Sequence, residues 1–327
     1  MHNRQNALNN WLEKVLAPSK FTLHPLAGDA SFRRYFRLHH NSMTQVVMDA
    51  PPDKEALQPF LTVAGLLTTA GVRTPQIHVV DKEQGFALLD DFGDALLLNH
   101  LNVETANKLY PMAMNTLIKM QQCSTQATAQ LPIFDRPFIM YELNVFREWF
   151  LDAYLKIKLT AAEEKLLDET FAQLCDTILE QPQCFIHRDY HSRNIMLLAE
   201  HEDHALGIID FQDAMRGPFT YDLVSLLKDC YIQWPREQVM KWLTTFHSQA
   251  PSATGWSLSA FTRAFDWCGL QRHLKVLGVF SRLYLRDNKA NYLQDLPLTH
   301  HYVMACLETY EELHPFYQFM QNRIRLP

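Results

Sequence analysis

Apolar residues recur at helical spacing in the first twenty positions. Leu8, Trp11, Leu12, Val15 and Leu16 share one face, and Pro18 ends the run. The period then drops towards two. Phe21–Leu23 reads as a strand, Gly28-Asp29-Ala30-Ser31 as a turn, and Phe32–Leu38 as a second strand that mixes aromatics with arginines. His39–Thr44 is a polar turn, and Gln45–Met48 is a third strand stopped by Pro51-Pro52. These three strands read as consecutive and antiparallel. A helix is predicted over Lys54–Thr69, where Leu57, Phe60, Leu61, Ala64 and Leu67 align and Gly71 suits the C-terminal cap. Two more strands, Gln76–Val80 and Phe86–Leu89, complete a small first lobe, and Asp90-Asp91-Phe92-Gly93 is its connector.

Beyond residue 93 the pattern is mostly helical, with candidates at 104–123, 138–156, 161–180, 221–231, 236–248, 257–285 and 298–313. In 138–156, Phe138, Phe146, Trp149, Phe150, Ala153 and Tyr154 share a face, while Glu142, Asn144 and Arg147 lie elsewhere. One β-rich stretch, 184–211, interrupts the helices. It holds short strands at Ile195–Leu198 and Leu206–Ile209, joined by the polar tip Glu200–His204. The expectation is an α+β chain of two lobes: a five-stranded antiparallel sheet in residues 1–92 and a mainly helical 93–327.

Composition narrows the chemistry. Of 327 residues, 47% are hydrophobic and 20% charged, so the chain can build real cores. Its 10 glycines are never closer than six apart. That excludes a dinucleotide fingerprint, a Walker phosphate loop and a nucleophile elbow. A net charge of −6, with no basic run beyond Arg33-Arg34, argues against nucleic acid as a partner. No pair among the six cysteines has zinc-knuckle spacing, and buried free thiols in a reducing compartment are expected. The first ten residues are polar and no apolar run reaches membrane-spanning length, so the expectation is a cytoplasmic protein with no membrane or obligate protein partner.

The chemistry concentrates at His187-Arg188-Asp189-Tyr190-His191-Ser192-Arg193-Asn194 and Ile208-Ile209-Asp210-Phe211. Phosphoryl transfer asks little covalent work of a protein. It needs a carboxylate beside the attacking hydroxyl and hard oxygen ligands for Mg²⁺. Asp189, an Asn five residues on, and an Asp closing the next hairpin supply those parts. Asp189 is the candidate base, and Asn194 and Asp210 the candidate metal ligands. His187 is expected to orient the loop by hydrogen bonding. Each residue alone also fits a turn or cap, but those separate roles leave the common spacing unexplained. The His201-Glu202-Asp203-His204 group reads as a solvated hairpin tip rather than a metal site.

The segments FIHRDYHSRNIML and GIIDFQDAMRGPFTYDLVSLL resemble the aminoglycoside phosphotransferase and choline kinase family. Ala214, Gly217-Pro218 and Asp222-Leu223 continue that likeness, which covers about residues 20 to 315. The resemblance implies a protein-kinase-like fold, with ATP and Mg²⁺ held by a nucleotide-binding N-lobe and a catalytic C-lobe. The segments LAGDASFRRYFRL, VVMDAPP, AGVRTPQI and FREWFL look like those of the anomeric sugar kinases of cell-wall recycling. That narrower likeness implies phosphorylation of the C1 hydroxyl of N-acetylmuramate and N-acetylglucosamine. Rival readings are an aminoglycoside, choline or homoserine kinase, and a non-catalytic nucleotide-binding module.

Two departures stand out. The N-lobe loop carries one glycine, so Gly28 and the amides of Ala30, Ser31 and Phe32 are the candidate phosphate cradle. The third strand has no lysine, and an arginine of the second strand, Arg34 or Arg37, is expected to replace it. Alternation sets Arg33, Tyr35 and Arg37 on one face and Arg34 and Phe36 on the other. The resemblance further implies that adenine meets the backbone from Leu89 to Asp91. Candidate acceptor contacts are Glu142, Arg147, Arg188, Asp213 and Arg272, each of which also fits an ordinary salt bridge. Their mixed charge favours a neutral or acidic sugar over a polycation.

Overall fold

The structure is a computed structural model and describes residues 2–26, 32–198 and 205–326. The expected phosphate-loop residues Gly28, Ala30 and Ser31, and the tip residues His201–His204, lie outside the described residues. The chain forms two compact units. One is Met1–Leu96 with Ile195–Asp213, the other Leu97–Asn194 with Ala214–Pro327.

The first unit begins with helix α1 (His2–Leu16). Strands β1 (Phe21–Pro25), β2 (Arg34–His40) and β3 (Met43–Asp49) follow, then helix α2 (Leu57–Thr69) and strands β4 (Ile77–Asp81) and β5 (Phe86–Asp90). The sheet runs β1-β2-β3-β5-β4 with every pair antiparallel. Period-two alternation gives β2 two unlike faces. Phe36 and Leu38 join Val47, Phe86 and Leu88 in a core with Leu8, Trp11, Leu12 and Leu16 of α1. Asp49, at the end of β3, has no exposed surface and accepts bonds from Arg4 of α1 (2.6 Å) and from Arg34. The Arg34 face is therefore the one that α1 covers, and Arg33, Tyr35 and Arg37 alternate onto the other. α2 buries Leu57, Phe60, Val63, Ala64 and Leu67, and Phe60 stacks on Phe211 at 4.9 Å. The late hairpin, Ile195–Leu198 with Ala205–Ile208, belongs to this unit. Leu197 N donates to the Ala95 carbonyl (2.7 Å) and Ile208 N to the Arg73 carbonyl (2.8 Å).

The second unit is built on the helix Leu258–Asp287, thirty residues long and buried on most sides. Ser257 caps its start, and Asn288, in the left-handed region at φ 55°, closes its end. Against it pack Ala161–Leu179, Tyr221–Leu227, Arg236–Gln249 and Leu296–Thr309; Ala106–Gln121 lies on Tyr221–Leu227 and Arg236–Gln249, and His314–Arg323 on Leu296–Thr309 and Ala161–Leu179. The helix expected over 138–156 is two segments, an α-helix Arg136–Val145 and a π-helix Phe146–Tyr154. At their junction the central helix comes very close. A Cβ on Gly278 would lie 2.4 Å from the Val145 carbonyl oxygen. A strand pair not anticipated from the pattern, Gln183–Ile186 with Met215–Pro218, flanks the His187–Asn194 segment. Among the described residues, no helix is long and apolar enough to cross a membrane.

Candidate active site

The His187–Asn194 segment leaves strand Gln183–Ile186 in the second unit. His187 is fully buried, and Asp222 accepts the backbone N–H of His187 (2.6 Å) and of Arg188 (3.0 Å). Arg188 sits at φ +77°, a conformation costly for a residue with a side chain. The Asp222 clamp holds that turn in place, as expected where strain persists at a working site. Burial pushes the Asp222 carboxyl up to about 6, although His187 and the two amides pull it down. The Arg188 guanidinium reaches Glu142 (3.1 Å) and lies over the Phe138 ring (4.9 Å). Glu142, 2% exposed, also accepts from Gln271 (2.9 Å) and lies 3.8 Å from Lys275.

Asp189 stands at the centre of these charges. Burial pushes its carboxyl up, but Lys275, His191, Arg188 and Arg272 together overcome burial and hold it well below the usual carboxylate range. Asn194 donates its side-chain N–H to the Asp189 carbonyl (3.0 Å), which fixes the amide plane and turns Oδ1 to the opposite side. Ser192 donates both its backbone N–H (2.9 Å) and its hydroxyl (2.5 Å) to Asp229, a second clamp on the loop.

Asp210 belongs to the first unit, at the end of the late hairpin, and is also left-handed at φ +62°. Gln212 Nε2 donates to Asp210 (3.0 Å) and to Asp213 (3.3 Å). On the face of β2 away from α1, buried Arg33 pairs with Glu55 at 2.9 Å. Burial raises the Tyr35 phenol to about 12, and the charges of Arg33, Asp210, Glu55 and Asp213 all act on it. Arg37 forks onto Asp91 (2.7 Å) and Asp94 (2.8 Å).

The structure gathers Glu142, Arg188, Asp189 and Arg272 into one polar cluster in the second unit, with Glu142 and Arg272 buried and Arg188 and Asp189 partly so. Arg147 is not part of it; its partner is Asp168 and it lies over Phe171. Phe32 is exposed, Leu89 is buried within β5, and Asp91 is taken up by Arg37 and the Gly93 N–H. Sequence reasoning did not single out Lys275. Its signal was the i, i+3 spacing from Arg272, which sets both on one stretch of helix surface.

Among the described residues, no group of three or more His, Cys, Asp or Glu gathers to hold a metal. Mg²⁺ does not need one, because it keeps its waters and takes one or two protein oxygens. The Asp210 carboxylate and the Asn194 amide oxygen are hard donors of the type it accepts.

The profile of the phosphotransferase enzyme family matches residues 22–257. The chain belongs to that family. It is similar to two curated proteins named N-acetylmuramate/N-acetylglucosamine kinase. One, from Neisseria meningitidis serogroup B, is 38% identical across 97% of this chain and 95% of that protein. The other, from Pseudomonas aeruginosa, is 39% identical across 95% and 94%. A solved ethanolamine kinase of Plasmodium vivax shares the fold, with a TM-score of 0.66 over 93% of this chain and 88% of that one, at 10% identity. This phosphotransferase is therefore an enzyme with the protein-kinase-like α+β fold expected from its pattern, and its family implies ATP with a divalent metal.

Proposed function

We propose that this phosphotransferase moves the γ-phosphoryl group of ATP to the anomeric C1 hydroxyl of N-acetylmuramate and N-acetylglucosamine, the sugars in its relatives' names. The observation that carries the reading is the charge around Asp189. Four basic side chains, Lys275, His191, Arg188 and Arg272, act on that carboxylate. A polycationic aminoglycoside or a quaternary amine would meet repulsion there, whereas a neutral or anionic sugar would not.

In this reading the Asp189 carboxylate accepts the C1 hydroxyl proton and aims the oxygen at phosphorus. A carboxylate held so acidic is a weak base. That suits a loose transition state, in which the hydroxyl proton moves late. The anomeric hydroxyl is itself more acidic than an ordinary alcohol, which lowers the demand further. Asn194 and Asp210 are the proposed ligands of Mg²⁺, which when bound neutralises charge on the phosphate oxygens. The Asn194 bond to the Asp189 carbonyl couples the proposed ligand to the proposed base within one loop. The proposal further gives residues 1–92 the nucleotide, with adenine on the backbone from Leu89 to Asp91, and residues 93–327 the acceptor. A cytoplasmic setting belongs to the same proposal and rests on six free cysteines.

Two measurements test it. A ³¹P spectrum of the product should show an anomeric sugar phosphate with both sugars; phosphate on another hydroxyl, or turnover only with aminoglycosides or choline, would sink the assignment. Asp189→Asn should lower kcat by about 100- to 10,000-fold, the usual worth of a positioned proton acceptor, with ADP affinity retained. A rate near that of the wild type removes Asp189 from the mechanism.

A further inference from the structure

Phosphotransferases of this fold hold the nucleotide's α- and β-phosphates with a strand lysine paired to a helix glutamate. Strand β3 of this chain, Met43–Asp49, contains no lysine. Lys54 follows it but is mostly exposed and lies near Asp53. The cation must come from elsewhere, and the first unit offers several arginines. Arg4 and Arg34 both bind Asp49 on the face that α1 covers. Arg37 makes four bonds to Asp91 and Asp94. Those contacts use the guanidinium forks on carboxylates.

Arg33 is placed differently. It precedes β2 by one residue and alternates onto the face opposite α1. It is 7% exposed, and its Nη2 lies 2.9 Å from Glu55 Oε2, just before α2. Glu55 leads into α2, the helix that follows the third strand. The Tyr35 hydroxyl, two residues along the same face, feels Arg33 and Glu55 together with Asp210 and Asp213. Geometry gives the same placement: Phe60 of α2 stacks on Phe211 at 4.9 Å, next in the chain to the proposed metal ligand Asp210, all within one unit of the fold.

We propose that Arg33 is the cation that grips the α- and β-phosphates of the nucleotide, held for that task by Glu55. In this proposal the lysine's role falls to the entrance of the second strand, with Glu55 as the acid partner. An arginine suits the new position because its planar fork matches the geometry of phosphate oxygens. The inference rests on the ATP-dependent reading above and adds the residue that reads the phosphates.

The test separates phosphate recognition from folding by comparing ADP with adenosine, which lacks phosphates. For the wild type, Arg33→Gln, Glu55→Gln and the exposed control Lys54→Gln, dissociation constants for both ligands are measured by calorimetry. Arg33→Gln should weaken ADP by about 10- to 100-fold, the scale of a charged hydrogen bond, and leave adenosine within about twofold. Glu55→Gln should shrink the ADP preference in the same direction, and Lys54→Gln should leave it as in the wild type. An unchanged ADP-to-adenosine ratio in Arg33→Gln, or an equal loss of both ligands, overturns the proposal. Should Arg33→Gln fail to fold, an unchanged ratio in Glu55→Gln does the same. A wild type that binds ADP but phosphorylates neither amino sugar defeats the proposed function and leaves the Arg33 result standing. A wild type that prefers adenosine defeats both.

Discussion

At the scale of single residues, chemistry with a fixed demand was legible and tertiary choice was not. A carboxylate and two hard oxygen donors at loop-and-hairpin spacing stand out in a chain without any alignment. Asp189, Asn194 and Asp210 could therefore be proposed as base and metal ligands from the chain alone. Which of three neighbouring arginines faces which carboxylate has no such local signature. Alternation separates Arg33 from Arg34, but only the packing of α1 reveals that the Arg34 face is covered. The deciding residue there is Asp49, fully buried with Arg4 and Arg34 as partners. Removing it strands two guanidinium groups at the α1–sheet seam. Breaking a fully buried pair costs about 3–5 kcal/mol, and water still reaches both arginines here, so Asp49→Ala should cost about 2–3 kcal/mol in urea unfolding. A loss under 0.5 kcal/mol, the size of an ordinary surface substitution, would show that the seam does not depend on Asp49.

Among the elements, all five strands of the first sheet and most helices followed from the pattern, either because one face is buried and one wet, as in α2, or because a short apolar run such as Phe86–Leu89 is buried on both faces. Two features did not. The strand pair Gln183–Ile186 with Met215–Pro218 escaped because Gly217-Pro218 reads as a turn. In the structure Gly217 is what lets the strands close, since a Cβ there would lie 2.4 Å from Ile186. The π-helix Phe146–Tyr154 escaped because its aromatics fit an α-helical face almost as well. Its onset coincides with the backbone of the central helix passing at Gly278. Gly278→Ala would drive a methyl into the Val145 carbonyl and the Phe146 N–H, both main-chain groups that cannot swing aside. The expected cost is about 3 kcal/mol, the upper end for overpacking, and a melting midpoint lower by about 6–12 °C. Gly65, also helical, has nothing within 4 Å of the same added methyl. Gly65→Ala should instead stabilise by about 0.5–1 kcal/mol. Equal effects of the two substitutions in a thermal melt would refute the close approach at Gly278.

Over the whole molecule, stability against pH sums the protons that the folded and unfolded chains hold differently, and two buried groups pull in opposite directions. Burial raises Asp222 to about 6, against about 3.9 in an unfolded chain. From about pH 4 to 6 the folded protein keeps a proton that the unfolded chain has released. The stability from this group is complete below about pH 4 and is lost as pH rises through about 6. Burial, reinforced by the charge of Arg272, lowers His273 to about 3, against about 6.5 unfolded. The unfolded chain there binds a proton that the folded protein refuses, so this contribution is complete above about pH 6.5 and is lost as pH falls towards about 3. Between about pH 4 and 6 each state holds one extra proton, and the two slopes cancel. Asp222→Asn removes one of them. Asparagine keeps one acceptor oxygen for the His187 and Arg188 amides and does not titrate, so the His273 slope stands uncompensated. As pH falls from about 6 to 4, the variant should lose stability relative to the wild type at about 1.4 kcal/mol per pH unit. Urea unfolding of both proteins across that window measures the gap directly. A gap that stays constant with pH would mean that Asp222 is ionised throughout, and that the clamp on His187 and Arg188 is made by a carboxylate rather than by a carboxylic acid.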